Sequence, residues 1–98
     1  MCGGEKLEKD IRARVVIRGR VQGVFFRART RERAMALRVR GWVRNVPDGT
    51  VEAVFEGAPE AVRSMVDWVG HGPRGAIVES AEVKWEEPVG EGEFRIIY

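Results

Sequence analysis

The chain has 98 residues, of which 44% are hydrophobic and 33% are charged, with a formal net charge of +2. This length supports one domain with a modest core and excludes a second, and no stretch approaches the roughly 18 apolar residues of a membrane helix. Residues 1–10 lack the apolar segment of a secretory signal, so a cytoplasmic protein is expected. The single cysteine, Cys2, excludes a disulfide framework and a thiolate zinc site.

The first half of the chain predicts a strand, a helix and a hairpin. Residues 13–19 are rich in β-branched side chains and end at a glycine, which is typical of a strand. Residues 26–37 carry apolar or small side chains every third or fourth position, the spacing of one helix face. Residues 41–46 and 50–57 are strand-like, and the Pro-Asp-Gly turn at 47–49 joins them as a hairpin.

The second half predicts another helix and further strands. Residues 58–69 form an amphipathic helix with an early proline, and residues 76–87 and 93–98 supply one or two strands. Residues 1–11 are expected to be a flexible tail before a domain at 12–98. The resulting order, βαββαβ plus a short extra strand, predicts an α+β fold, the ferredoxin-like α/β sandwich, with two helices on one face of an antiparallel sheet.

The turn between the first strand and the first helix has the features of an anion site. Gly19 and Gly23 allow the backbone to expose its N–H groups, and Arg20 and Arg27 stand on either side. In this topology the turn lies at the N-terminus of the first helix, where N–H groups without a partner and the helix dipole favour an anion. Asn45, near the end of the second strand, is expected to come within reach of the turn.

Charge and amide content are both uneven. Residues 12–44 contain eleven arginines and one acid, whereas residues 45–98 contain four basic and eleven acidic residues. Most of these arginines are expected to lie on solvated faces and to pair with the acids of the second half. Asn45 and Gln22 are the chain's single Asn and single Gln. Such avoidance of thermolabile amides suggests a heat-adapted, thermophilic source, and the two amides that are retained are expected to have specific roles.

Two long segments resemble a known family. Residues 19–27 (GRVQGVFFR) and 41–57 (GWVRNVPDGTVEAVFEG) are similar to the two signature segments of the acylphosphatases. The likeness continues at 72–78 and 94–98 and so covers about residues 12–98. It implies a ferredoxin-like fold and hydrolysis of the carboxyl-phosphate bond of a small acyl phosphate to a carboxylate and inorganic phosphate. It implies no metal and no other cofactor.

The same resemblance implies the roles of individual residues. Arg27 would bind the phosphate oxygens, Asn45 would hold the water for in-line attack, and the backbone N–H groups of loop 20–26 would wrap the phosphate. Gln22 is expected to brace this loop rather than to act as a catalyst. We expect a monomer without a nucleic-acid or membrane partner. The residues of the phosphate-binding loop are Arg20, Val21, Gln22, Gly23, Val24, Phe25 and Phe26.

Two other classes of function remain open at this point. The predicted topology also hosts RNA-recognition modules, which use a basic surface with stacked aromatics. Residues 40–47 offer only Trp42 where such a module needs a stacking pair. All three tryptophans, Trp42, Trp68 and Trp85, are expected to serve in packing. The second alternative is a small ligand-sensing or interaction module, because a fold does not dictate a function.

Overall fold

Five strands and two helices make up residues 9–98, the part of the chain that this computed structural model describes. The predicted element order is confirmed, and each predicted element ends within two residues of its observed bounds. Neither helix of residues 9–98 is long and apolar enough to cross a membrane. The elements are β1 (Ile11–Arg20), α1 (Phe26–Ala36), β2 (Arg40–Asn45), β3 (Val51–Gly57), α2 (Pro59–His71), β4 (Ile77–Glu86) and β5 (Arg95–Ile97).

The strands form one sheet in the order β4-β1-β3-β2-β5. The pairs β1–β3, β1–β4 and β2–β3 are antiparallel, as predicted, and β1 and β3 are central. The short strand β5 runs parallel to β2, so the sheet is mixed, and the expected antiparallel pattern is corrected at this edge. β5 is parallel to β2 because the chain crosses from β4, at one edge of the sheet, to the opposite edge, where β5 pairs with β2.

The start of the domain also differs slightly from the prediction. Residues 1–8 of the expected tail lie outside the described residues. Ile11, placed in the tail by the sequence, already belongs to β1, where it pairs with Gly57 and packs against the core. Asp10 forms an ion pair with Arg40. β1 therefore begins one residue before the predicted boundary at residue 12.

Both helices pack on one face of the sheet, α1 against β2 and β5, and α2 against β1, β3 and β4. The predicted helix faces are confirmed, because the buried side chains of each helix recur every third or fourth residue. Each fully buried aliphatic or aromatic side chain contributes about 1.5–3 kcal/mol. Core residues at 0–1% exposure include Ala13, Val15, Ile17, Phe26, Ala34, Val43, Val51, Ala53, Phe55, Val62, Met65 and Val69.

The opposite face of the sheet is charged. Arg14 of β1 and Arg44 of β2 both bind Glu52 of β3, at 2.7 and 2.8 Å. Their guanidinium carbons lie 5.6 and 6.0 Å from the ring centre of Trp42. The expected pairing of arginines with acids of the second half is confirmed for these residues. Such cross-strand pairs help to fix the register of β2 against β3, and with it the position of Asn45.

One buried carboxylate anchors the loop that leads to β5. Glu56, 1% exposed, accepts hydrogen bonds from the N–H groups of Val89, Gly90 and Glu91 at 3.0, 2.7 and 3.1 Å, and from Arg12 at 3.1 Å. Burial disfavours the charged form, but these N–H groups and the Arg12 guanidinium outweigh burial and hold the pKa of Glu56 below its usual value. The anchored loop brings β5 and the C-terminal residues alongside β2.

Candidate functional site

A cavity of about 320 Å³ lies between the β1–α1 loop, the end of β2 and the C-terminal residues. It brings together Arg27 and Asn45, which the sequence placed in one site although they lie on different elements. The loop residues Val21, Gly23, Phe25 and Phe26 also line it. The full lining is Val21, Gly23, Phe25, Phe26, Arg27, Ala28, Asn45, Ile96 and Tyr98.

The loop before α1 has an unusual backbone. Gly23 and Phe25 both have positive φ, at 77° and 60°. A Cβ on Gly23 would meet nothing within 4 Å, so the backbone conformation is what favours glycine there. Phe25 is the N-cap of α1, no side chain caps the helix, and its first turn contains no acidic residue. The positive end of this helix is thus available to an anion in the cavity.

The other predicted loop residues have different surroundings. Gly19 lies inside β1 at an irregularity opposite β4, and a Cβ on it would be 2.1 Å from the carbonyl oxygen of Ile77. Glycine at position 19 is therefore required by close packing against β4 and by its own positive φ of 132° within β1. Arg20 is the last residue of β1, is exposed and does not line the cavity. Val24 packs against the core and is also absent from the lining.

Arg27 lies in the first turn of α1 and is half-buried. Its guanidinium carbon is 5.1 Å from the ring centre of Tyr98, a cation–π contact that leaves the N–H donors at the edge of the guanidinium plane available. Sequence reasoning assigned no role to Tyr98, Ile96 or Ala28, which line the same cavity. The likeness to the acylphosphatases over residues 94–98 is the sequence signal that could have identified Ile96 and Tyr98.

Asn45 is the last residue of β2 and pairs with Val51 of β3. Its Oδ1 atom is buried and accepts no hydrogen bond from any group within residues 9–98. A buried acceptor without a partner is unfavourable by about 1–3 kcal/mol and is uncommon in folded proteins. Asn45 also lines the cavity, so its carboxamide lies beside the space that Arg27 lines.

Gln22 is directed away from the cavity. Its Nε2 atom donates to the carbonyl oxygens of Val46 and Thr50, both at 2.8 Å. These bonds connect the β1–α1 loop to the β2–β3 hairpin, as expected of a bracing residue. The side chain of Gln22 does not line the cavity.

The cavity therefore offers one guanidinium, one carboxamide and a glycine-containing backbone loop at a helix N-terminus. Such donors suit a tetrahedral oxyanion, because a guanidinium forms paired hydrogen bonds to its oxygens. His71, at the end of α2, has its Nδ1 2.9 Å from the carbonyl oxygen of Asp67 and lies outside the cavity lining. In the described residues, no three His, Cys, Asp or Glu side chains are arranged to hold a metal ion.

The fold and this donor set define a ferredoxin-like α+β protein with a cavity whose donors suit a tetrahedral oxyanion. A sequence model of the acylphosphatase family matches residues 13–96. The chain belongs to the acylphosphatase family, which consists of hydrolases acting on phosphorus-containing acid anhydrides.

Individual relatives support this assignment. An acylphosphatase of Chloroflexus aurantiacus is 57% identical over 89 residues, which is 90% of this chain and 97% of the relative. The structure of an acylphosphatase from Coxiella burnetii superposes with a TM-score of 0.87 at 30% identity, covering 94% of this chain and 96% of that one. The acylphosphatase structure from Bacillus subtilis gives 0.85 at 35% identity, covering 90% and 99%. The predicted family and fold are confirmed.

Proposed function

We propose that this chain hydrolyses a small acyl phosphate to a carboxylate and inorganic phosphate. In this mechanism, Arg27 and the backbone N–H groups of residues 20–26 hold the phosphate, and Asn45 positions a water for in-line attack. The observation that carries the proposal is the cavity that Arg27 and Asn45 share; within residues 9–98, Oδ1 of Asn45 is buried and has no donor. Membership of the acylphosphatase family supports the substrate class.

Phosphate binding follows from the charges around the cavity. Phosphoryl transfer spreads negative charge over three equatorial oxygens, so catalysis depends mainly on positioning and electrostatic stabilisation. A guanidinium supplies a planar pair of donors, and backbone N–H groups at a helix N-terminus supply further donors. Arg27 and the loop containing Gly23 and Phe25 offer both kinds of donor.

The role of Asn45 follows from the chemistry of the leaving group. A carboxylate, the conjugate base of an acid with a pKa of roughly 4 to 5, departs without protonation by a general acid. The site therefore needs a group that orients water rather than an acid–base pair. A carboxamide oxygen can accept one hydrogen of the water and direct its lone pair at phosphorus, at a distance set by the end of β2.

The proposal is tested by measuring phosphate release from benzoyl phosphate with the purified chain in EDTA. We expect turnover that persists in EDTA and is lost in Arg27→Ala, while Arg31→Ala, at an exposed position of α1, keeps wild-type activity. Gel-shift assays with single- and double-stranded RNA run in parallel and should show no retardation. Absence of turnover in a folded wild-type chain, or turnover that required added magnesium, would contradict the proposal.

A further inference from the structure

Two backbone carbonyl oxygens at the turn of the β2–β3 hairpin each accept two hydrogen bonds. The carbonyl of Val46 accepts from the N–H of Gly49 at 2.9 Å, and that of Thr50 accepts from the N–H of Val46 at 2.8 Å. The second bond to each carbonyl comes from Nε2 of Gln22, at 2.8 Å in both cases. Both hydrogens of one side-chain nitrogen are therefore used on the two closing carbonyls of the hairpin.

This arrangement requires the chemistry of a primary amide. A carboxamide nitrogen presents two hydrogens in one plane without carrying a charge, whereas an ionised glutamate presents none. Gln22 is also half-buried, so bulk water competes with its bonds only in part. Its chain neighbours Val21 and Gly23 both line the cavity. One side chain thus joins the loop at the anion site to the hairpin opposite.

The two carbonyl groups that Gln22 binds lie next to Asn45. Val46 follows Asn45 directly, and Thr50 precedes Val51, the residue that pairs with Asn45 across the ladder. A displacement of the hairpin relative to the loop would therefore move the Asn45 carboxamide relative to the bound anion. Gln22 makes direct side-chain hydrogen bonds from the loop to this part of the hairpin.

We propose that Gln22 is a positioning residue that sets the distance between Asn45 and the phosphate-binding loop. The inference rests on the proposed function, because Asn45 is the group that Gln22 positions. A displacement of about 1 Å in a reacting group can reduce a rate by about a hundredfold. Loss of both Gln22 bonds should therefore lower kcat, while Arg27 and the helix N-terminus still bind phosphate.

The first test is kinetic and uses Gln22→Met, which keeps the length of the side chain and removes both donors. With benzoyl phosphate we expect kcat to fall about tenfold or more, while the Ki of inorganic phosphate stays within about threefold of wild type. Arg31→Met, which introduces the same side chain at an exposed position of α1, should change neither value. An unchanged kcat, or a phosphate affinity lost in proportion to kcat, would overturn the inference.

A double-mutant cycle separates this inference from the proposed function. If Gln22 acts through Asn45, Gln22→Met should have little further effect on kcat in an Asn45→Ala background. A full additional loss would show that Gln22 acts independently of Asn45 and would overturn the inference. If Asn45→Ala alone kept wild-type kcat, the proposed function itself would fail.

A spectroscopic readout takes advantage of the chain's amide content, since Gln22 and Asn45 are its single Gln and single Asn. A ¹⁵N-correlation spectrum should therefore contain two side-chain carboxamide pairs. We expect Gln22→Met to remove one pair and to shift or broaden the other, which belongs to Asn45. An Asn45 pair identical to wild type would contradict the inference without reference to any activity.

Gln22→Glu provides a second variant should Gln22→Met not fold. Near pH 7 its carboxylate would face two carbonyl oxygens, whereas protonation would restore one donor. The ratio of its kcat to that of wild type should therefore rise between pH 7 and pH 5. A ratio that stayed flat or fell over this range would overturn the inference.

Discussion

Arg27 and Arg29 are two residues apart on α1, yet their surroundings differ completely. Arg27 lines the cavity and lies against the ring of Tyr98. Arg29 points into solvent, with 61% of its side chain exposed, and binds Glu32 at 3.3 Å. Residues two apart on a helix project about 200° from each other, so only one of the two can face the cavity. Both side chains carry the same charge, and their positions on the helix decide which of them reaches the cavity.

Substitution of Arg27 should therefore have a large effect and substitution of Arg29 a small one. In Arg27→Ala, kcat/KM should fall about a hundredfold or more, because charge-assisted hydrogen bonds worth about 3 kcal/mol are lost. Arg27→Lys should lose nearly as much, since a point charge cannot reproduce the planar pair of donors. Steady-state kinetics with benzoyl phosphate measure both effects. Wild-type activity in Arg27→Ala, or a loss as large in Arg29→Ala, would remove Arg27 from the site.

At the scale of elements, the glycines of the first signature segment divide into two kinds. Gly19 lies in β1, where a Cβ would be 2.1 Å from a backbone oxygen of β4 and 2.8 Å from a backbone nitrogen. Gly23 has open space around it and a φ of 77°. Gly19, whose φ is 132°, thus serves both the contact between two strands and the backbone conformation of β1, whereas Gly23 serves only the conformation of the loop.

These two glycines should respond differently to alanine. Gly19→Ala forces β1 and β4 apart and should lower the free energy of unfolding by about 3 kcal/mol. Gly23→Ala meets no atom and should lower it by about 1–2 kcal/mol, the strain of a left-handed residue. Urea denaturation of both variants measures these differences. Equal losses of unfolding free energy in the two variants, or a larger loss in Gly23→Ala, would contradict the roles assigned to these glycines.

The elements themselves could be predicted from sequence because their patterns are local. The spacing of Phe26, Thr30 and Ala34 defines a helix face, and the Pro-Asp-Gly turn defines the hairpin. The direction of β5 could not be predicted, because a three-residue strand has no pattern that specifies its partner. The contacts of Arg27 with Tyr98 and of Gln22 with the hairpin depend on tertiary packing between distant segments. Residue types suggested those roles, but only the fold supplies the partners.

At the scale of the whole molecule, arginines of the first half and glutamates of the second half form a network of ion pairs across the sheet. Glu86 binds Arg12 and Arg14, both at 2.9 Å, and Glu52 binds Arg14 and Arg44. The hydrogen bonds from Arg14 and Arg12 hold the pKa of Glu86 below its usual value. For Glu52, burial acts in the opposite direction but is outweighed by Arg44 and Arg14, so its pKa is also lowered. The basic first half and the acidic second half thus stabilise each other.

These lowered pKa values predict a loss of stability in acid. A carboxylate whose pKa is lower in the folded state contributes stability above its unfolded value, near 4.5, and this contribution disappears as pH falls through the folded value. The free energy of unfolding should therefore decrease between about pH 5 and pH 3. Glu56→Gln should reduce it by about 3 kcal/mol at pH 7 and make its pH dependence shallower.

Urea denaturation at pH 7, 5 and 3 checks this prediction. Glu32→Gln is the matched control, because Glu32 has 72% of its side chain exposed and should change the free energy of unfolding little. If the free energy of unfolding depended on pH equally in Glu56→Gln and in wild type, Glu56 would not contribute to the acid sensitivity.

The central claim is that Arg27 binds phosphate while Asn45 positions the water, and Asn45→Ala tests it most directly. The measurement pairs kcat for benzoyl phosphate with the Ki of inorganic phosphate, in a variant shown by thermal melting to be folded. We predict that kcat falls about a hundredfold or more while Ki stays within about threefold of wild type, because the lost contact is to the water alone. A folded Asn45→Ala that kept wild-type kcat, or that lost phosphate affinity as severely as Arg27→Ala, would contradict the account.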